Sequence, residues 1–289
     1  MNGDKELFRI PHLIITRIYY RLVVENKPDF SRFPEAGVRG AMGYYLYDEI
    51  KKNRRPEKTL GLINLYKALL GTLPGTNIPP EGPMPRSINI RFFDIPDNSD
   101  HMGLEITFFG DSKELHPLLQ ESLQILGEEG IGRRANRFYF DGMRPPQPLD
   151  IATLPPLAAN SATLVFYSPT SFRLNRQESR SWNLEMFCNN LLQRAQLLCN
   201  NYGECTEWPQ EELLQQMLSI KSTARTDINN RFRLSSRQKK RINCSGFTGQ
   251  VHLENISPDA GRILSIGAQI GVGKNTTFGG GRYTILCNF

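Results

Sequence analysis

The chain has 289 residues, of which 39% are hydrophobic and 22% charged, with a formal net charge of +6. A chain of this length buries roughly three quarters of its unfolded surface and usually divides into about two domains, and its positive excess favours a polyanionic partner. No apolar run reaches the roughly 18 residues of a bilayer span, and MNGDKELFRIPH lacks the basic-then-apolar pattern of a secretory leader, so the expectation is a cytoplasmic protein with no membrane partner.

Leu13 to Val24 is rich in β-branched and aromatic residues and reads as a long first strand. From Val38 the apolar positions Val38, Met42, Leu46 and Ile50 recur every four residues, which predicts a helix with Arg39, Gly43, Tyr47 and Lys51 on the opposite stripe. A second helix is expected near Leu60 to Leu70, then strands at Ser87 to Ile95 and Leu104 to Gly110, a helix at Lys113 to Leu126, and a strand at Arg137 to Phe140. Strand, helix, strands, helix, strand is the ferredoxin-like order. Arg144 to Pro156 is proline-rich and reads as a linker. After it Ala162 to Tyr167 reads as a strand and Trp182 to Cys199 as a helix. Gly246 to Leu253, Ile263 to Ile266 and Tyr283 to Leu286 are further short apolar runs. The organisation expected is α+β: a ferredoxin-like unit over residues 1–143, a linker over 144–158, and a second such unit over 159–289 that contains a glycine-rich loop.

A local similarity supports this duplication. Gly130-Ile131-Gly132-Arg133 precedes Arg137-Phe138-Tyr139-Phe140, and Gly271-Val272-Gly273-Lys274 precedes Arg282-Tyr283-Thr284-Ile285. The loop GVGKNTTFGGGRY is the richest in chemistry. Glycines permit positive φ and close approach, so backbone N–H groups can surround a phosphate oxygen while Lys274 and Arg282 add charge. It is not a nucleotide P-loop, because Ala268 stands five before Gly273 and Asn275 follows Lys274. The dinucleotide fingerprint also fails, since Thr276 occupies its third glycine position.

The Val38-Arg39-Gly40-Ala41-Met42-Gly43 helix start and the loop Gly271 to Tyr283, with the helix containing Leu191, Arg194 and Leu198 and the following Tyr202-Gly203, resemble the CRISPR precursor-RNA processing endoribonucleases of the RAMP superfamily. The resemblance implies tandem ferredoxin-like domains, a CRISPR repeat RNA as partner alongside other CRISPR effector subunits, and cleavage without a metal or other cofactor. In that family the 2′-hydroxyl of the RNA attacks the adjacent phosphate, leaving a 2′,3′-cyclic phosphate. Many members place a histidine near the first helix; here the histidines are His12, His101, His116 and His252. Tyr44, Tyr47, Arg39 and Lys51 are therefore the candidates for positioning and stabilising the reacting groups. The alternative is a non-catalytic RAMP subunit that holds guide RNA.

Lys221 to Arg241 is strongly basic with Phe232 between Arg231 and Arg233, a pattern that can neutralise phosphates and stack on an unpaired base. The expected RNA-binding residues are thus Gly271, Gly273, Lys274, Asn275, Thr276 and Arg282 of the loop, and Arg231, Phe232 and Arg233. The five cysteines form no C-x-x-C pair and read as free thiols.

Overall fold

A computed structural model describes residues 8–26, 34–73, 84–95, 100–131, 136–235 and 240–287. The first unit runs β1 (Ile14–Val24), α1 (Pro34–Lys52), α2 (Pro56–Leu70), β2 (Ile88–Asp94), β3 (His101–Phe109), α3 (His116–Glu129) and β4 (Phe138–Asp150). Its antiparallel sheet has the order β2-β3-β1-β4. Alternation in β1 turns Ile18, Tyr20 and Leu22 toward the helices, where Met42 and Leu46 of α1 and Leu65 and Leu69 of α2 complete a core. Arg17, Tyr19 and Arg21 alternate with them along the strand.

The second unit repeats this order. It comprises β5 (Ser161–Thr170), a hairpin of β6 (Phe172–Leu174) and β7 (Gln177–Ser179), α4 (Leu184–Tyr202), α5 (Gln210–Leu218), β8 (Lys221–Asn229), a hairpin of β9 (Phe232–Ser235) and β10 (Lys240–Asn243), β11 (Gly246–Glu254), α6 (Pro258–Ile270) and β12 (Tyr283–Cys287). The sheet order β12-β5-β11-β8 matches that of the first unit strand for strand. The fold is tandem ferredoxin-like, as the element order and the resemblance imply.

One local expectation changes, and two segments gain a definite place. The proline-rich segment from Arg144 is strand as far as Asp150, because β4 is an edge strand and its register against β1 shifts between Arg144 and Gln147, leaving Pro145 and Pro146 out of the pairing. Ile263 to Ile266 lies within α6, whose Ser257 cap, Pro258 first turn and Gly271 terminus bound an amphipathic helix. Within the Lys221 to Arg241 segment, β8 forms a sheet edge and β9 and β10 pair outside it.

Gly130 and Gly271 have the same place, each closing the last helix of its unit at φ 84 and φ 74 with its N–H on the fourth carbonyl back. The remainder of the paired first-unit motif, Gly132 and Arg133, lies outside the described residues. The segment before β1 and the start of β1 itself pack into the second unit: Phe8 N–H donates to Asp259, Arg262 donates to Phe8 O, and Ile10, Leu13 and, from β1, Ile15 join the second core.

Candidate nucleic-acid interface

The glycine loop leaves α6 at Gly271 and folds back onto its own root. Val272 N–H donates to Gly281 O, Lys274 N–H to Ser171 O, Gly280 N–H to Asn275 O and Gly281 N–H to Pro169 O, while Phe278 and Gly279 close the short 3-10 turn at Thr276–Phe278. At Gly273, φ 79, a Cβ would lie 2.3 Å from Ser171 O. Much of the backbone polarity expected to face a phosphate is therefore spent shaping the loop. Lys274, Asn275 and Gly273 stay half-buried, Thr276 is buried, and the Lys274 ammonium pairs with Glu178.

Arg282 corrects the sequence reading most. It is 2% exposed, and its guanidinium donates to Gln269 O at 2.8 Å, to Glu105 at 3.1 Å and to Thr107 at 3.0 Å. Arg17 shares Gln269 O at 2.6 Å, and Arg194 donates twice to Ile270 O. Three guanidiniums thus converge on the negative end of α6, where cations are favoured. Burial pushes the Glu105 carboxyl up, but Arg282, Arg91 and Arg17 overcome it and hold it below the usual carboxylate range. Arg282 joins the two units instead of facing solvent.

Arg39 is likewise not on the exposed face. It is 6% exposed, donates to Leu69 O and, at 3.2 Å, to Thr277 O, and stands 4.9 Å from the centre of the Phe278 ring. Burial, with Arg86 and Arg233 nearby, lowers its pKa to about 9. Arg233 approaches the same ring at 5.2 Å, so Phe278 lies within cation–π reach of arginines from both units. Phe232 is covered by the Arg241 guanidinium, and Arg231 bonds Asn229 and Ser245. The structure therefore brings the glycine loop, the start of α1 and the Arg231 to Arg233 segment into one surface.

It does not bring Tyr44, Tyr47 and Lys51 there. Tyr44 is 69% exposed, Lys51 sits 4.2 Å over the Tyr47 ring, and Tyr47 packs on the first core. At 1.5 Å per residue, Tyr47 and Lys51 lie about 12 and about 18 Å along α1 from Arg39.

The histidines have local partners. His12 Nδ1 bonds Asp150 at 2.6 Å, His116 bonds the Tyr20 hydroxyl, His101 lies beside Asp100 and Asp141, and His252 beside Thr163 and Glu254.

Two further residues of this surface carry only a weak signal in the sequence. Arg91 on β2 pairs with Glu105 at 3.2 Å and lies 4.9 Å from the Tyr167 ring of the second unit. Glu35, 3% exposed at the start of α1, accepts the Phe92 N–H at 2.8 Å. The Arg91 signal is a charge inside an apolar strand; Glu35 reads only as an acid in a first helical turn. Two sheets of order 4-1-3-2, bolted through buried arginines and closed by a glycine loop against the first helix, define the tandem ferredoxin-like class.

Within that class, residues 164–283 match the family model described as CRISPR-associated endoribonuclease Cas6. A Cas6 product complex is similar to the chain with 17% identity and a TM-score of 0.62 over 94% of this chain and 99% of that one. Thermus thermophilus Cas6 has 16% identity and a TM-score of 0.59 over 95% and 99%. A Cas6 substrate-mimic complex has 18% identity and a TM-score of 0.54 over 94% and 99%. No curated protein matches in sequence. The family match spans most of the second unit, and the solved Cas6 structures share the fold of the whole chain.

Proposed function

We propose that the chain is an endoribonuclease that cuts CRISPR repeat RNA without a metal, the RNA's 2′-hydroxyl attacking the adjacent phosphate to leave a 2′,3′-cyclic phosphate and a 5′-hydroxyl. The observation that carries this is the convergence of the family-matched glycine loop with α1 and the Arg231 to Arg233 segment around Phe278. The reaction needs positive charge where the phosphorane develops, and it moves the 2′-hydroxyl proton off the nucleophile while the leaving 5′-oxygen gains one as its bond to phosphorus breaks. Lys274, Arg233 and Arg231 supply charge at this surface, while Arg39 and Arg282 hold the loop that presents it. Gly271, Gly273, Asn275 and Thr276 keep the loop's backbone close enough to the RNA for contact. The reading places the protein in the cytoplasm.

The test is incubation with the cognate repeat RNA in EDTA followed by analysis of product ends. Cutting with a 2′,3′-cyclic terminus is expected, and a single 2′-deoxy substitution upstream of the scissile phosphate abolishes it while binding persists. A general acid or base contributes about 100-fold to 10,000-fold. Tyr47→Phe and Lys51→Ala are expected to lose only about two- to threefold, the size of a packing effect; a loss in the 100-fold range would instead put the scissile phosphate at the far end of α1.

One observation favours a second reading. α1 contains no histidine, and each of the four histidines is engaged elsewhere. A subunit that binds repeat RNA with salt dependence and cuts none would be a non-catalytic RAMP component. A Cas6-RT-Cas1–Cas2 complex, similar at 11% identity and a TM-score of 0.54 over 98% of this chain and 47% of that chain, supports CRISPR subunits as the partners in either case.

A further inference from the structure

The β6–β7 hairpin stands beside the glycine loop on a rigid root. Phe172 is fully buried, with its ring 6.1 Å from Phe187 and 5.6 Å from Phe247, and Ser171 O accepts the Lys274 N–H at 2.9 Å. Asn190 of α4 brackets the first strand, donating to Arg173 O at 3.0 Å and accepting from Arg173 N–H at 3.4 Å. The turn is made by Asn175 at φ 49 and Arg176 at φ 67, two left-handed residues that suit a tight hairpin. That conformation is uncommon for arginine.

Arg173, Arg176 and Arg180 are exposed, and the acid among residues 172–180 is Glu178. Glu178 faces Arg173 across the ladder, and its Oε1 lies 2.5 Å from Lys274 Nζ. The Lys274 hydrogen bond, with the fields of Arg173 and Arg180 behind it, holds the Glu178 carboxyl below the usual carboxylate range. An oxygen anion is thus already seated among an ammonium and two guanidiniums, the donors that bind phosphate.

We propose that the β6–β7 hairpin and Lys274 form a phosphate-binding site for RNA, in which the Glu178 carboxylate occupies the phosphate position until RNA displaces it. This rests on the RNA-binding half of the function proposed above. Both partners are partly solvated, with side-chain exposures of 33% and 39%, so the exchange costs little. RNA is favoured over an acidic protein because the hairpin root and the glycine loop share their backbone hydrogen bonds, which puts this site on the same surface as Phe278 and Arg233. Displacing Glu178 frees Lys274 and leaves the carboxylate with Arg173.

The test uses the full chain and a repeat RNA 2′-O-methylated throughout, which binds without being cut, with Kd measured between about 50 and about 200 mM salt. The triple variant Arg173→Ala, Arg176→Asn, Arg180→Ala is expected to flatten the log–log salt slope by roughly 1.4 to 2, about 0.7 for each phosphate left without its cation. Asparagine at the second turn position keeps the left-handed conformation. Glu178→Gln is expected to tighten binding about two- to fivefold, the range of a competing exposed ion pair, and to have no effect once Lys274→Ala is present. Unaltered melting temperatures check that the exposed substitutions leave the fold intact. A wild-type slope in the triple variant, or Glu178→Gln binding as wild type does, overturns the proposal. Failure of the wild type to bind RNA overturns it together with the function above, whereas the expected binding shifts without cleavage of unmodified repeat overturn only the enzymatic reading.

Discussion

Glu35 is a residue whose chemistry departs from its sequence context. Burial lifts its carboxyl to about 7, against the Phe92 N–H bond and the fields of Arg231 and Arg91. A folded-state pKa above the unfolded value means that the neutral form's contribution to stability is complete below about 4.5 and is lost as pH rises through about 7. The loss is at most about 3 kcal/mol. Glu35→Gln keeps an oxygen for the Phe92 N–H and cannot ionise. The expected outcome is equal urea stability of wild type and variant near about pH 4 and a more stable variant near about pH 8. Parallel pH profiles for the two proteins would show that Glu35 ionises at no cost. Nothing in the local sequence singles out Glu35, because its partner lies on β2, 57 residues away along the chain.

The glycine loop shows how far an element can be read before folding. Its glycines were legible as positions of close approach and positive φ, and the structure has φ 74, 79, 76 and 70 at Gly271, Gly273, Gly279 and Gly281. What they approach was not legible. At Gly281 a Cβ would stand 1.8 Å from Val272 O, within the loop itself. Gly281→Ala is therefore expected to cost about 2 kcal/mol or more, from backbone strain and disruption of the Val272 bond, and to weaken RNA binding with it. Gly142→Ala on the β4 edge meets nothing within 4 Å and serves as the control, with little change in melting temperature. A Gly281→Ala variant as stable as the Gly142→Ala control would remove the loop's backbone from the account. The β4 prolines carry the same lesson: proline signals a break only if the strand must pair on both sides, and edge placement is a property of the sheet.

Across the whole molecule, the two units are joined by charge as well as by apolar packing. Arg282 from the root of β12 reaches Glu105 and Thr107 on β3, Arg17 from β1 reaches Gln269 O at the end of α6, and Arg39 from α1 reaches Thr277 O. Removing one partner of a buried pair leaves the other charge uncompensated, so Arg282→Met is expected to cost about 3 kcal/mol in urea unfolding. Adding Glu105→Gln should recover a measurable part of that loss, giving a non-additive double-mutant cycle. Strict additivity would show that Glu105 is adequately held by Arg91 and Arg17 alone. The described helices include none long and apolar enough to cross a membrane.

Local pattern determined what local pattern can carry. The β-branched run of β1, the four-residue apolar recurrence of α1 and the repeated element order were sufficient for two ferredoxin-like units, because strand alternation and helix periodicity are written in neighbouring residues. The density of positive charge was equally plain. Which charges face solvent was not. Arg282 and Arg39 were indistinguishable in sequence from Lys274 and Arg233, yet the first two are buried bonds between units and the last two remain at the surface. The difference is decided by which carbonyls and carboxylates the docked units bring within about 3 Å of each guanidinium. Those partners lie 13 to 238 residues away along the chain, so their positions exist only once both sheets have formed and docked.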